Sequence, residues 1–129
     1  MLKTINTSEA NRIIITALTS KLALGTENVI ARLAFAYSLS KGIRLDLKNI
    51  RDAKGKSYAA KVLFGDHIDI YIAMLCELYE ITTKDKDIPR YVKMHLDHGL
   101  EEMSPYANND GMDFVIRCIE EGLLAAEIN

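Results

Sequence analysis

Apolar residues recur along this chain every three or four positions over long stretches, the period of an α-helix with one buried face. In residues 8–22, Ile14, Ala17 and Leu18 are spaced i, i+3, i+4, and Ile13 and Ile15 widen the stripe. Ser8 stands where an N-cap accepts a free backbone N–H, and Glu9 follows in the first turn, where the helix dipole favours a carboxylate. Gly25-Thr26 predicts a tight corner, with glycine in the left-handed conformation that closes one helix and threonine capping the next. The second helix, residues 27–40, is apolar on more than one side. Val29, Leu33, Ala36 and Tyr37 form one stripe, and Ile30, Ala34, Phe35 and Leu39 extend it. A helix apolar all round is central to a core or covered by a second subunit, and in a chain of 129 residues the pattern favours an oligomer.

Three more helices follow. Residues 66–80 begin with Asp66 as cap and carry Ile68, Ile72, Leu75 and Tyr79 at helical spacing. Residues 88–103 tolerate Pro89 in the first turn and turn Ile88, Val92, Leu96 and Leu100 inward. Residues 111–127 present Met112, Val115, Ile119 and Leu123 as the buried face. Ser104–Asp110 holds Pro105, two asparagines and an aspartate, all turn formers. Residues 2–6 predict a short strand, and the brief alternation at 43–47 a second extended piece. The fold class is therefore mainly all-α, about five helices with a short N-terminal strand, in one domain over residues 1–129.

Composition narrows the setting. There is no tryptophan, and Cys76 and Cys118 stand apart within apolar helical patterns, which predicts reduced core thiols. The opening residues hold no apolar run of the length of a secretory leader or membrane span, so the expectation is a soluble cytoplasmic protein. Charge is divided unevenly. Residues 1–64 hold 11 Lys/Arg against 4 Asp/Glu, while residues 65–129 hold 5 against 14. Lys41, Arg44, Lys48, Arg51, Lys54, Lys56 and Lys61 crowd into one connector, residues 41–65, with only Asp46 and Asp52 among them. Such a run is either a solvated loop or a surface for the phosphate backbone of a nucleic acid, and glycine punctuation leans towards the second.

The candidate chemistry is thin. Lys54-Gly55-Lys56-Ser57 ends like a Walker A loop, but Ile50 stands where that motif needs its first glycine; a loop offering lysines to DNA phosphates uses the same residues. His95 and His98 are neighbours on one helix face with Asp97 between them, and His67 adjoins Asp66. A metal-dependent nuclease or phosphohydrolase using these histidines is set against surface or capping roles. No serine lies in a nucleophile elbow, no cysteine has a neighbouring activating group, and no cofactor loop is evident. Met94, Met103 and Met112 read as core gap-fillers. Thr26, Asn28 and Arg32 sit at the start of the second helix, where free N–H groups bind phosphate; alternatively Asn28 completes the cap and Arg32 pairs with a carboxylate in the core or at a subunit contact.

The run Leu24-Gly25-Thr26-Glu27-Asn28-Val29-Ile30-Ala31-Arg32-Leu33-Ala34, continuing to Ser38-Leu39, resembles the signature of the DNA sulfur modification family DndE, which reads Thr-Gly-x-Thr-Pro-Asn-x-x-Ala-Arg-x-Ala. Gly55-Lys56, Leu63-Phe64-Gly65-Asp66 and His98-Gly99 resemble that family too, in order and spacing, across residues 8–125. Glu27 replaces the family's usual proline, and Leu24 or its neighbour replaces a polar residue. The resemblance implies a ribbon-helix-helix-like topology and a small non-catalytic subunit of the bacterial system that replaces a non-bridging backbone oxygen of DNA with sulfur. It also implies a homo-oligomer (a tetramer in the family) that binds double-stranded DNA, preferably nicked. Sulfur activation and ATP hydrolysis then belong to the companions DndC and DndD. The DNA contacts expected on this reading are Lys21, Thr26, Asn28, Arg32, Lys41, Arg44, Lys54, Lys56 and Lys61, with no metal or cofactor. A scaffold that binds only protein companions, its dipolar charge pairing subunits head to tail, is the alternative. The acidic C-terminal half is then free to meet other subunits.

Overall fold

The fold is that of a computed structural model describing residues 2–108 and 111–128, with side chains placed for 2–107 and 113–121. Strand β1 (Thr4–Asn6) leads into helices α1 (Glu9–Leu22) and α2 (Glu27–Ser40), whose axes cross at 105°. A connector with one 3-10 turn (Leu47–Asn49) returns the chain to β2 (Ser57–Ala59), which runs straight into the short helix α3 (Ala60–Phe64). A 3-10 turn at Gly65–His67 opens α4 (Ile68–Tyr79). Then follow α5 (Ile88–Met103), a 3-10 turn (Ser104–Asn108) and α6 (Gly111–Ile128). No single helix among the described residues is long and apolar enough to cross a membrane.

Ser8 caps α1 as expected, its Oγ accepting the Asn11 N–H at 3.2 Å. The buried face is Asn11, Ile15, Leu18 and Leu22, a rotation of the expected stripe that leaves Ile13 exposed. The left-handed residue closing α1 is Ala23 (φ 53°), not Gly25. Gly25 is needed for a different backbone conformation, φ 145°, which side-chain-bearing residues rarely adopt. Thr26 caps α2 by its backbone alone, its carbonyl accepting the Val29 and Ile30 N–H groups.

Helix α2 is the centre of the core. Its buried residues are Ile30, Ala31, Ala34, Phe35, Tyr37, Ser38 and Leu39: those expected only to extend the stripe are all buried, while of the expected stripe itself Tyr37 is buried, Val29 is exposed and Leu33 and Ala36 are half-buried. Much of its apolar circumference is therefore covered within the chain, by α1, α3, α4 and above all α5. Ile88, Val92, Leu96 and Leu100 of α5 turn inward as expected, and Met94 and Met103 fill the core. Phe35 packs edge-on against Phe64 and Tyr71, at centroid distances of 5.0 and 6.0 Å.

Three expectations fail for physical reasons. The piece at 43–47 pairs with nothing; the strand in the connector is β2, which the long-range pairs Thr4–Ala59, Ile5–Tyr58 and Asn6–Ser57 define. Asp66 lies in the 3-10 turn, and α4 starts after His67 without a side-chain cap. In α6, Phe114 is the buried anchor, packed edge-on against Tyr37 and Tyr106, and this turns Val115 and Ile119 outward. Met112 and Leu123 lie outside the described side chains.

Gly99 sets the α2–α5 distance, because a β-carbon there would overlap the Ala34 carbonyl of α2. We expect Gly99→Ala to destabilise the fold by about 3 kcal/mol or more, read as a fall in the urea midpoint. Gly42→Ala, which meets nothing within 4 Å, should cost only its left-handed backbone strain, about 1 kcal/mol.

Candidate nucleic-acid interface

Alternation divides the two-stranded ribbon into two faces. Ile5 and Tyr58 point into the core, and Thr4, Ser57 and Ala59 point out, with half-buried Asn6 beside them. The Ala60 N–H donates to the Lys3 carbonyl at 2.8 Å, which brings Lys3 and Lys61 to one end of the ribbon. At the other end the Thr7 N–H donates to the Lys56 carbonyl and the Gly55 N–H to the Thr7 carbonyl, which places Lys54 and Lys56 there. The outward face thus carries small side chains, with no carboxylate on either strand, and is bracketed by lysines. A two-stranded ribbon of this width fits the DNA major groove.

The expected site residues fall into three groups. Lys21, Lys54 and Lys61 are exposed and ion-paired with no carboxylate among the described residues, and the same holds for Lys3 and Lys48. Lys41, Arg44 and Lys56 are engaged, with Glu121 at 3.3 Å, Glu80 at 3.6 Å and Glu27 at 3.7 Å; Arg51 likewise binds Glu101 at 2.6 Å. Arg44 also donates to the Leu78 carbonyl. Arg32 reaches across to α3, where Nε donates to the Leu63 carbonyl at 2.6 Å and Nη2 to the Val62 carbonyl at 3.3 Å. It closes the C-terminal end of α3 with a cation, a structural task. Thr26 is exposed and Asn28 half-buried at the start of α2. There Glu27 accepts the Tyr58 hydroxyl at 2.6 Å and ties the ribbon to the helix.

The Walker-like residues serve the fold. Lys56 N–H donates to Thr7 Oγ1 at 2.9 Å, and a β-carbon on Gly55 would overlap the Ser8 carbonyl. The first turn of α1 is likewise filled: Ser8 N–H donates to Asp97 Oδ1 at 3.0 Å and Glu9 N–H to Asp52 Oδ1 at 2.9 Å. The Glu9 and Lys54 N–H groups hold the exposed Asp52 carboxyl below its ordinary pKa. Asp97 also takes Asn11 Nδ2 at 2.8 Å and, on Oδ2, Lys93 Nζ at 2.7 Å.

The histidines do not converge on a common centre. His67 is exposed at the start of α4, and no group of three or more His, Cys, Asp or Glu suited to a metal occurs among the described residues. His95 is fully buried, its Nε2 2.6 Å from the Tyr79 hydroxyl and its Nδ1 2.7 Å from Ser38 Oγ. Ser38 Oγ lies 2.8 Å from His98 Nδ1, and His98 Nε2 lies 3.4 Å from Glu102. With the His98 Nε2–H pointing at Glu102, one direction is assigned to the whole chain: Tyr79 donates to His95, His95 to Ser38, and Ser38 to His98. The Tyr79 oxygen in turn accepts the Leu45 N–H at 2.8 Å, so the network tethers the connector to the core. Burial, with His98 nearby, lowers the His95 pKa to about 4, which keeps it neutral. Cys76 and Cys118 are free thiols, each pushed above its ordinary pKa by burial.

A family model for the DNA sulphur modification protein DndE matches residues 4–110. The chain belongs to the DndE family. The fold agrees with the crystal structure of DndE from Escherichia coli B7A involved in DNA phosphorothioation modification, at 20% identity and TM-score 0.64, over 80% of this chain and 99% of that one. A DndE mutant with two glycine-to-lysine changes, involved in DNA phosphorothioation, superposes with TM-score 0.66 at 21% identity, over the same shares of the two chains. No curated protein matches. In this DndE-family chain the residues that carry the resemblance are largely architectural: Arg32 closes α3, Gly55 lets the ribbon pass Ser8, and Gly99 admits α2.

Sequence reasoning missed Lys3, Thr4, Asn6 and Ser57 as surface candidates, since three-residue strands leave almost no periodic signal. It also missed Asp97 as a buried hub, because an aspartate between two helical histidines reads as solvated.

His95 sets a pH dependence. Its pKa is lower folded than unfolded, so the unfolded chain binds more protons between about pH 6.5 and 4. The stabilisation is complete above that window and is lost as pH falls through it. We expect the wild-type urea midpoint to fall from pH 7 to 4.5 by the equivalent of about 2 kcal/mol more than that of His95→Gln. Parallel curves would contradict a neutral buried His95.

Proposed function

We propose that this protein is a non-catalytic, DNA-binding subunit of a cytoplasmic DNA phosphorothioation system, contacting duplex DNA with the outward face of its β-ribbon. The observation that carries this reading is the ribbon itself: Thr4 and Ser57 point out of a surface bracketed by Lys3, Lys61 and Lys54, none of which is ion-paired among the described residues. Family membership supplies the setting. Small polar side chains admit a groove wall closely, while unneutralised lysines release counterions from the phosphates. Lys21, Thr26 and Asn28 are further DNA contacts on this reading. Lys41, Arg44, Lys56 and Arg32, already engaged by Glu121, Glu80, Glu27 and backbone carbonyls, contribute little to it. The preferred ligand on this reading is nicked duplex, where a break relieves the stiffness of the helix.

A subunit without catalysis of its own is consistent with the residues available. Ser38 and His95 are consumed in a buried network, and both thiols are held protonated by burial. We further propose that the protein works as a homo-oligomer, a tetramer in its assembled form, beside the companion subunits DndC and DndD.

The test is binding of intact, nicked and single-stranded DNA at several salt concentrations. Reversing Lys3, Lys54 and Lys61 to glutamate should weaken duplex binding and flatten the log K against log[salt] slope by about 0.9 per lysine, with the thermal midpoint unchanged. Reversal of Lys41 should have a smaller effect on the slope. Weak, salt-insensitive binding to every DNA form would overturn the DNA reading in favour of a protein scaffold.

A further inference from the structure

Carboxylates from different elements hold cations of the basic connector. Glu121 of α6 takes Lys41, Glu80 just after α4 takes Arg44, Glu101 of α5 takes Arg51, and Glu27 of α2 takes Lys56. The last of these pairs lies at the ribbon. Lys56 precedes β2, and its carbonyl receives the Thr7 N–H at the end of the ribbon where Lys54 also stands. One carboxylate there meets two ribbon residues. Glu27 Oε1 accepts the Tyr58 hydroxyl at 2.6 Å, and Oε2 lies 3.7 Å from Lys56 Nζ.

The two contacts differ in strength. Tyr58 is buried, and burial together with the Glu27 carboxylate holds its hydroxyl protonated, so that hydrogen bond is permanent. Lys56 and Glu27 keep 36% and 30% of their side chains exposed, and their separation is near the long limit of an ion pair. A pair so open to water contributes little to folding, and its ammonium can turn to a phosphate at small cost. Position makes this matter. Glu27 stands between Thr26 and Asn28 in the first turn of α2, and it touches the ribbon at Lys56. A phosphate strand running from Lys54 to the start of α2 therefore passes Lys56, the cation that Glu27 neutralises.

We infer that Glu27 sets the strength of DNA binding by withholding Lys56 from the phosphates. The inference rests on the DNA reading above and makes Glu27 a determinant of opposite sign to the ribbon lysines. Fewer neutralised phosphates mean weaker binding with a shallower salt dependence. Removing the charge of Glu27, with its hydrogen-bond acceptor kept, should add one phosphate contact.

The test measures binding of the purified full chain to nicked duplex at several salt concentrations. Wild type is compared with Glu27→Gln, Lys56→Gln, the double variant and Tyr58→Phe. Glutamine still accepts the Tyr58 hydroxyl, so the thermal midpoint of Glu27→Gln should stay near that of wild type. Its binding should be tighter by roughly fivefold at low salt, with the log K against log[salt] slope steeper by about 0.9. Lys56→Gln alone should leave the slope as it is, and in that background Glu27→Gln should lose most of its effect. Equal tightening in both backgrounds would mean that the carboxylate acts by general repulsion, which overturns the inference. Tightening by Tyr58→Phe as large as by Glu27→Gln overturns it too, because loosening the ribbon would then suffice. If wild type binds with a clear salt slope and Glu27→Gln binds no tighter, the inference fails while the DNA reading stands. A wild-type chain without salt-dependent DNA affinity overturns both.

Discussion

The close approach of α2 and α5 at Gly99 is the contact on which the rest of the molecule depends. With no side chain at Gly99, the Ala34 carbonyl fits against α5, and the two helices share one continuous interface. That distance places Ser38 between His95 and His98, within hydrogen-bond reach of both. It also sets Asp97 over the start of α1, where one carboxylate receives a backbone N–H, an amide and an ammonium. A buried carboxylate is stable only when its lone pairs are filled, and here the partners come from α1 and α5 together. The start of α1 is thereby fixed, and with it β1 and the ribbon.

From that frame the surface follows. The ribbon is only three residues wide on each strand, too small to hold itself together. It is held from behind by Ile5 and Tyr58 in the core, by Tyr58 on Glu27, and by the backbone ladder that Gly55 permits beside Thr7. Its outward face is left to small side chains. The basic connector serves two ends: its last turns join the ribbon and present lysines, while its first half is strapped to α4 through Tyr79 and Leu78.

What the sequence made legible was the part governed by local chemistry. The bounds of α2 and α5 could be read from capping positions, Pro89 and the helical period. The inward row of α5 was readable because it carries one clean stripe on a helix otherwise polar. The phase of α1, α2 and α6 was not, since several adjacent apolar residues let more than one face qualify, and only packing chooses. Phe114 decides it in α6, and Gly99 in α2. The strand β2 was hidden because its partner lies about fifty residues away, and a run of lysines masks a three-residue alternation. Arg32 was expected to meet a phosphate or a carboxylate and instead meets the backbone carbonyls that end α3; which acceptor a helical arginine finds is a tertiary question. Four of the seven expected DNA-contacting cations, Arg32, Lys41, Arg44 and Lys56, have carboxylates or carbonyls of their own, which charge counting along a chain cannot reveal.

The measurement that bears most directly on the account is backbone hydrogen exchange of the full chain with and without saturating nicked duplex. The account expects new protection in residues 3–8 and 54–61, at the ribbon and its flanks, with α4 and α5 unaltered. Protection confined to residues 43–51 and α6, with the ribbon exchanging as in the free protein, would contradict it.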